Sequence, residues 1–286
     1  MNGYSTSSGD RPTALVTGAS SGIGQVVAAH FVERGAHVLG TCRDPDRLDE
    51  ANRVAGVRYL PLDVTDPDSV AACAERTGPV DILVNNAGQS QLGPLEDLAD
   101  SSIENLFAVN VFGPVRLVRA YLPGMRAARR GAIVMVGSLM AEFPLPYQST
   151  YAATKAALRA FTQSVRFEVA PFGVRVSVVQ PSYFRSDINQ RRERVIRPES
   201  AYAGPLSAVV RSIDGAHAQA GDPREVARLI WRVANDRDPA PVYSIGANAS
   251  GQLLAKRLLS GRRVERLVAR RYEPTLTTIS PESEQA

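Results

Sequence analysis

Two kinds of stretch alternate along the chain, and that alternation limits the folds open to it. Short runs dense in apolar and β-branched residues occur at 14–17, 37–41, 57–60, 81–84, 132–136, 175–179 and 242–245. Most lack a polar face, as strands covered on both sides must. Longer stretches with helical spacing separate them. Two of these have explicit starts: Asp66-Pro67 and Asp222-Pro223 each set a capping carboxylate before a proline suited to the first helical position. The pattern predicts an α/β fold: a doubly wound, seven-stranded parallel sheet with helices on both faces and ligands at the carboxyl ends of the strands.

Composition narrows the class. The chain has 286 residues, 44% of them hydrophobic and 22% charged, which suits one globular domain. No apolar run reaches the length of a membrane span. Cys42 and Cys73 have no metal-ligand spacing, so no metal site is expected and a reducing cytoplasm is the natural setting. A net charge of +4 is too mild to imply a nucleic-acid partner. The expected organisation is a disordered leader over 1–11, a catalytic domain over 12–247, an amphipathic helix over 248–272 and a disordered tail over 273–286. About 40 residues (182–221) fall between the sixth strand and the Asp222-Pro223 start, long enough to form a substrate loop or lid.

The first strand-to-helix turn reads Thr17-Gly18-Ala19-Ser20-Ser21-Gly22-Ile23-Gly24. Glycines there let backbone N–H groups approach a pyrophosphate, and the helix N-terminus adds partial positive charge. The second strand ends Gly40-Thr41-Cys42-Arg43, with no carboxylate to hold a ribose 2′-hydroxyl. Arg43 instead offers a fork of donors suited to a 2′-phosphate, although a solvated arginine beside Asp44 is the plainer alternative. Asn85-Asn86-Ala87-Gly88 follows strand four and either lines a ribose or turns the chain.

Tyr151 and Lys155 stand one helical turn apart, sharing a face. An ammonium near a phenol favours the phenolate, and such a tyrosine can trade a proton with a substrate oxygen. Ser138, 13 residues earlier, follows a strand at the end where the cofactor should lie. Asn110 sits in an apolar helical setting, where a buried amide needs partners and could hold a water against Lys155.

Together these elements resemble the short-chain dehydrogenase/reductase family, whose glycine spacing is Thr-Gly-x3-Gly-Ile-Gly, over residues 13–187. The resemblance implies a Rossmann-type sheet, an NADP(H) cofactor, and Asn110, Ser138, Tyr151 and Lys155 as the catalytic set. It also implies that Asp63 and Val64 meet the adenine, that Lys155 binds the nicotinamide ribose, and that Pro181 and Ser186 lie near the carboxamide. One departure is Ser182, where the family has glycine after the proline. Phe143-Pro-Leu-Pro146, Glu168-Val-Ala-Pro-Phe-Gly173 and the basic tail resemble the hydroxysteroid and retinol dehydrogenase branch, which implies a bulky, hydrophobic ketone or alcohol. The family also implies a homodimer through the 102–122 and 151–169 helices, where Leu158, Phe161, Val165 and Phe112 supply apolar outer faces. The terminal helix carries Lys256, Arg257, Arg262, Arg263, Arg266, Arg270 and Arg271 among leucines. It is either a docked helix with a solvated basic face or a contact for a membrane or an acidic carrier protein. The rival function is a cofactor-binding regulator of the same fold without catalysis.

Overall fold

The computed structural model describes residues 11–186, 188, 191–218 and 220–272. The expected leader (except Arg11) and the expected tail lie outside the described residues.

Seven strands form one parallel sheet. In chain order they are β1 (Thr13–Val16), β2 (His37–Cys42), β3 (Val57–Pro61), β4 (Ile82–Asn85), β6 (Gly131–Val136), β7 (Val174–Pro181) and β9 (Val242–Ile245). Their spatial order is β3-β2-β1-β4-β6-β7-β9. The order reverses between β1 and β4, the switch point where a doubly wound sheet opens a crevice at its carboxyl edge. A separate two-stranded ribbon pairs β5 (Gln91–Leu92) with β8 (Glu193–Arg194), also in parallel.

The strand pattern explains the two layers. In β1, Leu15 points into one core with Leu39, Leu83 and Ile133, while Ala14 and Val16 point into the other with Val38, Ile82 and Val134. The first core is closed by α2 (Pro67–Thr77), α4 (Gly113–Ala127) and α5 (Ser149–Val169), and the second by α1 (Gly22–Glu33) and α7 (Pro223–Asn235). The two aspartate-proline starts behave as expected: Asp66 and Asp222 accept from the backbone N–H groups of Asp68 and Arg224 at 2.9 and 3.0 Å.

Between α3 (Asp100–Phe107) and α4 the backbone widens into a π-type turn over Ala108–Phe112, which holds Asn110. The segment after β7 is pinched at its neck. Phe184 bridges to Gly221, with Arg185 N–H donating to Gly221 and Gly221 N–H to Tyr183 at 3.1 and 3.0 Å. Beyond that neck the described residues of the 182–221 segment include a helix. Its α6 (Ala203–Ala218) buries Leu206, Val209 and Ile213 against Leu92, so this helix is packed on the domain.

Two sequence expectations change here. The single terminal helix is two, α8 (Ala249–Leu258) and α9 (Gly261–Tyr272), because the backbone is extended at Leu259. Leu158 and Val165, expected on an outer face, are buried in the first core, while Phe112 stays exposed. Among the described residues no helix is long and apolar enough to cross a membrane.

Candidate active site

The cleft at the switch point is about 1460 Å³ and runs from the β1–α1 turn past the ends of β4, β6 and β7 to α8 and α9. That exceeds the usual pocket for one drug-sized ligand. The cofactor residues read from sequence line it as a group: Gly18, Ser20, Ser21, Gly22 and Ile23 at the turn, Arg43, Asp63 and Val64 beyond it, Asn86, Ala87 and Gly88 after β4, and Pro181 and Ser186 after β7.

Gly24 is the exception and does not face the cleft. A Cβ there would stand 2.2 Å from the Gly18 carbonyl oxygen and 2.3 Å from Asn86 Nδ2, so this glycine lets α1 start close to the turn. Gly18 and Gly22 have φ of +65° and +55°, the left-handed region that glycine occupies at little cost. Asn86 is largely spent on the turn: its amide donates to Thr17 O at 2.9 Å and Gly18 O at 3.3 Å. Thr17 Oγ1 accepts from the N–H groups of Asn86 and Ala87, both at 2.9 Å, and this locks the two loops together. Ser21 caps α1 without using its hydroxyl, which leaves the helix start open to the cleft. A backbone cradle that a Cβ would fill, set at an unblocked helix start, fits a dinucleotide pyrophosphate.

Asp44 does not neutralise Arg43. Its carboxylate accepts from the N–H groups of Asp46 and Arg47 and pairs with the Arg47 side chain at 3.3 Å. Asp63 does double duty. It lines the cleft, and its Oδ1 accepts from Thr65 N–H and hydroxyl at 2.8 and 2.7 Å, which holds its carboxyl below the ordinary range.

At the inner end, Tyr151 and Lys155 are almost fully buried, at 8% and 4% exposure. Lys155 Nζ donates to Val136 O at 3.2 Å and lies 5.7 Å from the centre of the Tyr151 ring. Burial pulls its ammonium down to about 8. Burial also pushes the Tyr151 phenol up, opposed by a hydrogen bond with Ser138 and by the charge of Arg192. The expected depression of the phenol by Lys155 is thus absent here, because a dry pocket disfavours both charges at once. Ser138 itself follows β6, where its Oγ accepts from Met140 N–H at 3.2 Å.

Asn110 stands behind the cleft rather than in it. Its amide donates to Gln89 O at 2.9 Å and Thr154 Oγ1 at 3.1 Å, and its oxygen accepts from Gln89 N–H at 2.9 Å. Both amide hydrogens are therefore committed to protein, and Asn110 pins the loop whose Gly88 faces Lys155. A Cβ on Gly88 would be 3.2 Å from Asn110 Oδ1 and 3.6 Å from Lys155 Nζ. Ser182 causes no strain. Its N–H donates to Ile245 O at 2.9 Å, and its Cβ sits where Gly246 leaves room, 2.6 Å from where a Cβ on that glycine would be.

Arg192 escaped the sequence reading. It lines the same cleft, and its Nε donates to Ser90 Oγ at 3.0 Å across 102 residues of chain. No local pattern marks a contact of that span.

The sequence profile described as short chain dehydrogenase matches residues 12–196. The chain belongs to the short-chain dehydrogenase family. It is an oxidoreductase of that family, whose members bind a nicotinamide cofactor. Among curated short-chain dehydrogenases, it is 32% identical over 231 residues to the 3-ketodihydrosphingosine reductase of Bacteroides thetaiotaomicron, covering 79% of this chain and 84% of that one. It is 39% identical to human retinol dehydrogenase 8 over 179 residues, which is 59% of this chain and 58% of that relative. Among solved structures, a short-chain dehydrogenase from Streptomyces avermitilis superposes with TM-score 0.79 at 33% identity, covering 93% and 98% of the two chains. One from Burkholderia cenocepacia in complex with NADP gives 0.71 at 26% identity, covering 90% and 97%.

Proposed function

We propose that this short-chain dehydrogenase uses NADP(H) to interconvert a bulky, largely apolar ketone and its alcohol, with Tyr151 as general acid and base. The observation that carries the reading is one cleft with the Tyr151, Ser138 and Lys155 cluster at one end and Arg43 beyond the glycine turn at the other. The apolar side chains of Leu139, Phe143, Leu145, Val264 and Val268 along its wall support an apolar substrate. So do the two relatives named for a ketosphingoid base and for retinol.

A bound nicotinamide supplies or accepts the hydride at the substrate carbon. In the reduction direction the Tyr151 hydroxyl donates its proton to the developing alkoxide, and Ser138 holds the same oxygen by a hydrogen bond. In the oxidation direction the phenolate takes the proton back. Lys155, fixed on Val136, is assigned the ribose hydroxyls, and Arg43 the 2′-phosphate, which it can grip by two parallel bonds.

NADPH and NADH titrations, with 3-ketodihydrosphingosine and all-trans-retinal as carbonyl probes, test the reading. Tyr151→Phe should bind NADPH as before yet lose at least about a hundredfold in turnover. Near-normal turnover in that variant removes Tyr151 from the mechanism. Cofactor binding with no turnover of any carbonyl would favour the silent regulator. Arg43→Ala should weaken NADPH by about 1–3 kcal/mol and NADH very little. Equal losses would show that Arg43 does not read the phosphate.

We also propose a homodimer through the outer faces of α4 and α5. Phe112 and Phe167, at 52% and 80% exposure, support it, since large exposed aromatics mark contact surfaces.

A further inference from the structure

A strap over residues 192–195 lies along the cleft, and its seating is unusually well specified. Glu193 N–H donates to Ser90 O at 3.1 Å and Val195 N–H to Leu92 O at 2.9 Å, making the β5–β8 ribbon. Gly93 permits the approach, since a Cβ there would be 3.0 Å from Val195 Cβ. The Glu193 carboxylate accepts from Gln91 Nε2 at 2.9 Å and from Ser102 Oγ at 2.5 Å. Gln91 is 1% exposed, and its own oxygen accepts from Thr150 Oγ1 at 2.7 Å. Thr150 directly precedes Tyr151. On the other side Arg194 pairs with Asp214 of α6 at 2.9 Å. The strap is thus tied to the start of the catalytic helix through one buried amide and to the cleft wall through one ion pair.

Arg192 opens the strap. It is half-buried, held by Ser90, and its guanidinium shares the cleft with Tyr151. We propose that Arg192 is a positioning residue whose fixed positive charge, delivered by the seated strap, stabilises the phenolate of Tyr151. The inference rests on Tyr151 being the acid/base of the proposed function. Burial is the larger effect on each group, but against it the charge of Arg192 favours the phenolate of Tyr151.

Other charged groups around this pair have separate duties. Lys155, on the same helix as Tyr151, gives the phenol no such support and loses its own proton near pH 8, where an arginine keeps its charge. Glu142, beyond the Ser138 turn, pairs with Arg159 and Lys256. Tyr183 at the end of β7, Arg194 on the strap and Asp214 on α6 act on Arg192 rather than on Tyr151, and Arg191 lines the cleft beside it.

The test needs no substrate. The near-ultraviolet phenolate signal of each protein, minus that of its Tyr151→Phe counterpart, isolates the titration of Tyr151. Arg192→Met should move that midpoint up by about one pH unit, a tenfold loss of phenolate at fixed pH. Arg192→Lys should restore most of it, and NADPH affinity should stay within about twofold in both. Glu193→Ala unlatches the strap and should also move the midpoint up. A simple through-space effect of removing an anion would move it down, so a downward shift overturns the latch. An unmoved midpoint in Arg192→Met with NADPH binding intact overturns the whole proposal. Should Arg192→Met not fold, the Glu193→Ala titration still decides: an upward shift supports the proposal, and an unmoved or downward one overturns it. Failure of the underlying reading looks different: Tyr151→Phe would keep its turnover of the carbonyl probes, whatever the titrations gave.

Discussion

Lys155 is 4% exposed, and burial lowers its ammonium from 10.5 to about 8. At pH 7 the group is charged in both folded and unfolded chains, so the folded state carries the full desolvation cost. Between pH 8 and 10.5 the unfolded chain holds more protons than the folded one, and stability therefore rises with pH across that window. Lys155→Met should stabilise the free protein at pH 7 by up to about 3 kcal/mol, and the gain should vanish above about pH 11. Urea unfolding at the two pH values measures it. Equal stability of the two proteins at pH 7 would show that the ammonium is not strained. The spacing of Tyr151 and Lys155 was legible because one helical turn is a local relation. The saturation of Asn110 by Gln89 and Thr154 was not, nor was the seat of Arg192 on Ser90, because both depend on segments brought together only by the fold.

The strands were readable to within a few residues, since burial on both faces leaves an apolar signature that needs no partner to interpret. The segment after β7 was harder. Its length suggested a substrate loop or lid, yet part of it is helical: a Cβ on Gly204 or Gly215 would meet nothing, and Pro205 falls in the first turn of α6, where a missing N–H is harmless. The informative feature was the spacing of Leu206, Val209 and Ile213, one face of a helix and each at most 1% exposed. The amides of α6 should exchange slowly in the free protein, and Leu206→Ala should speed their exchange at least about tenfold by opening a cavity under the helix. Rapid exchange across α6 in the unmodified protein would restore the lid. In the glycine turn, Gly24→Ala places a methyl group against the Gly18 carbonyl. It should lower the unfolding midpoint and abolish NADPH binding together, a coupling that fluorescence titration and thermal melting can check. Loss of neither would mean that α1 can shift away without consequence.

At the scale of the molecule, two large phenylalanines on the α4 and α5 side set the expectation for assembly. Phe167→Asp with Phe112→Asp should convert a dimer to a monomer in light scattering at micromolar concentration, while the subunit core, which neither residue enters, keeps its melting behaviour. A monomer before any substitution defeats the homodimer. The sequence pointed to α4 and α5 but chose the wrong apolar residues on α5, because helical periodicity alone cannot say which of two apolar faces meets its own sheet. The family match ends at residue 196; α6 begins at Ala203, and Val268 of α9, which faces the cleft with Val264, packs against its buried face. One part of the cleft's apolar wall, Val264 and Val268, is therefore written in a different stretch of the chain from Ser138, Tyr151 and Lys155. Descendants of this sequence could reshape that part of the wall by altering the last third alone, leaving the proposed proton-handling residues untouched.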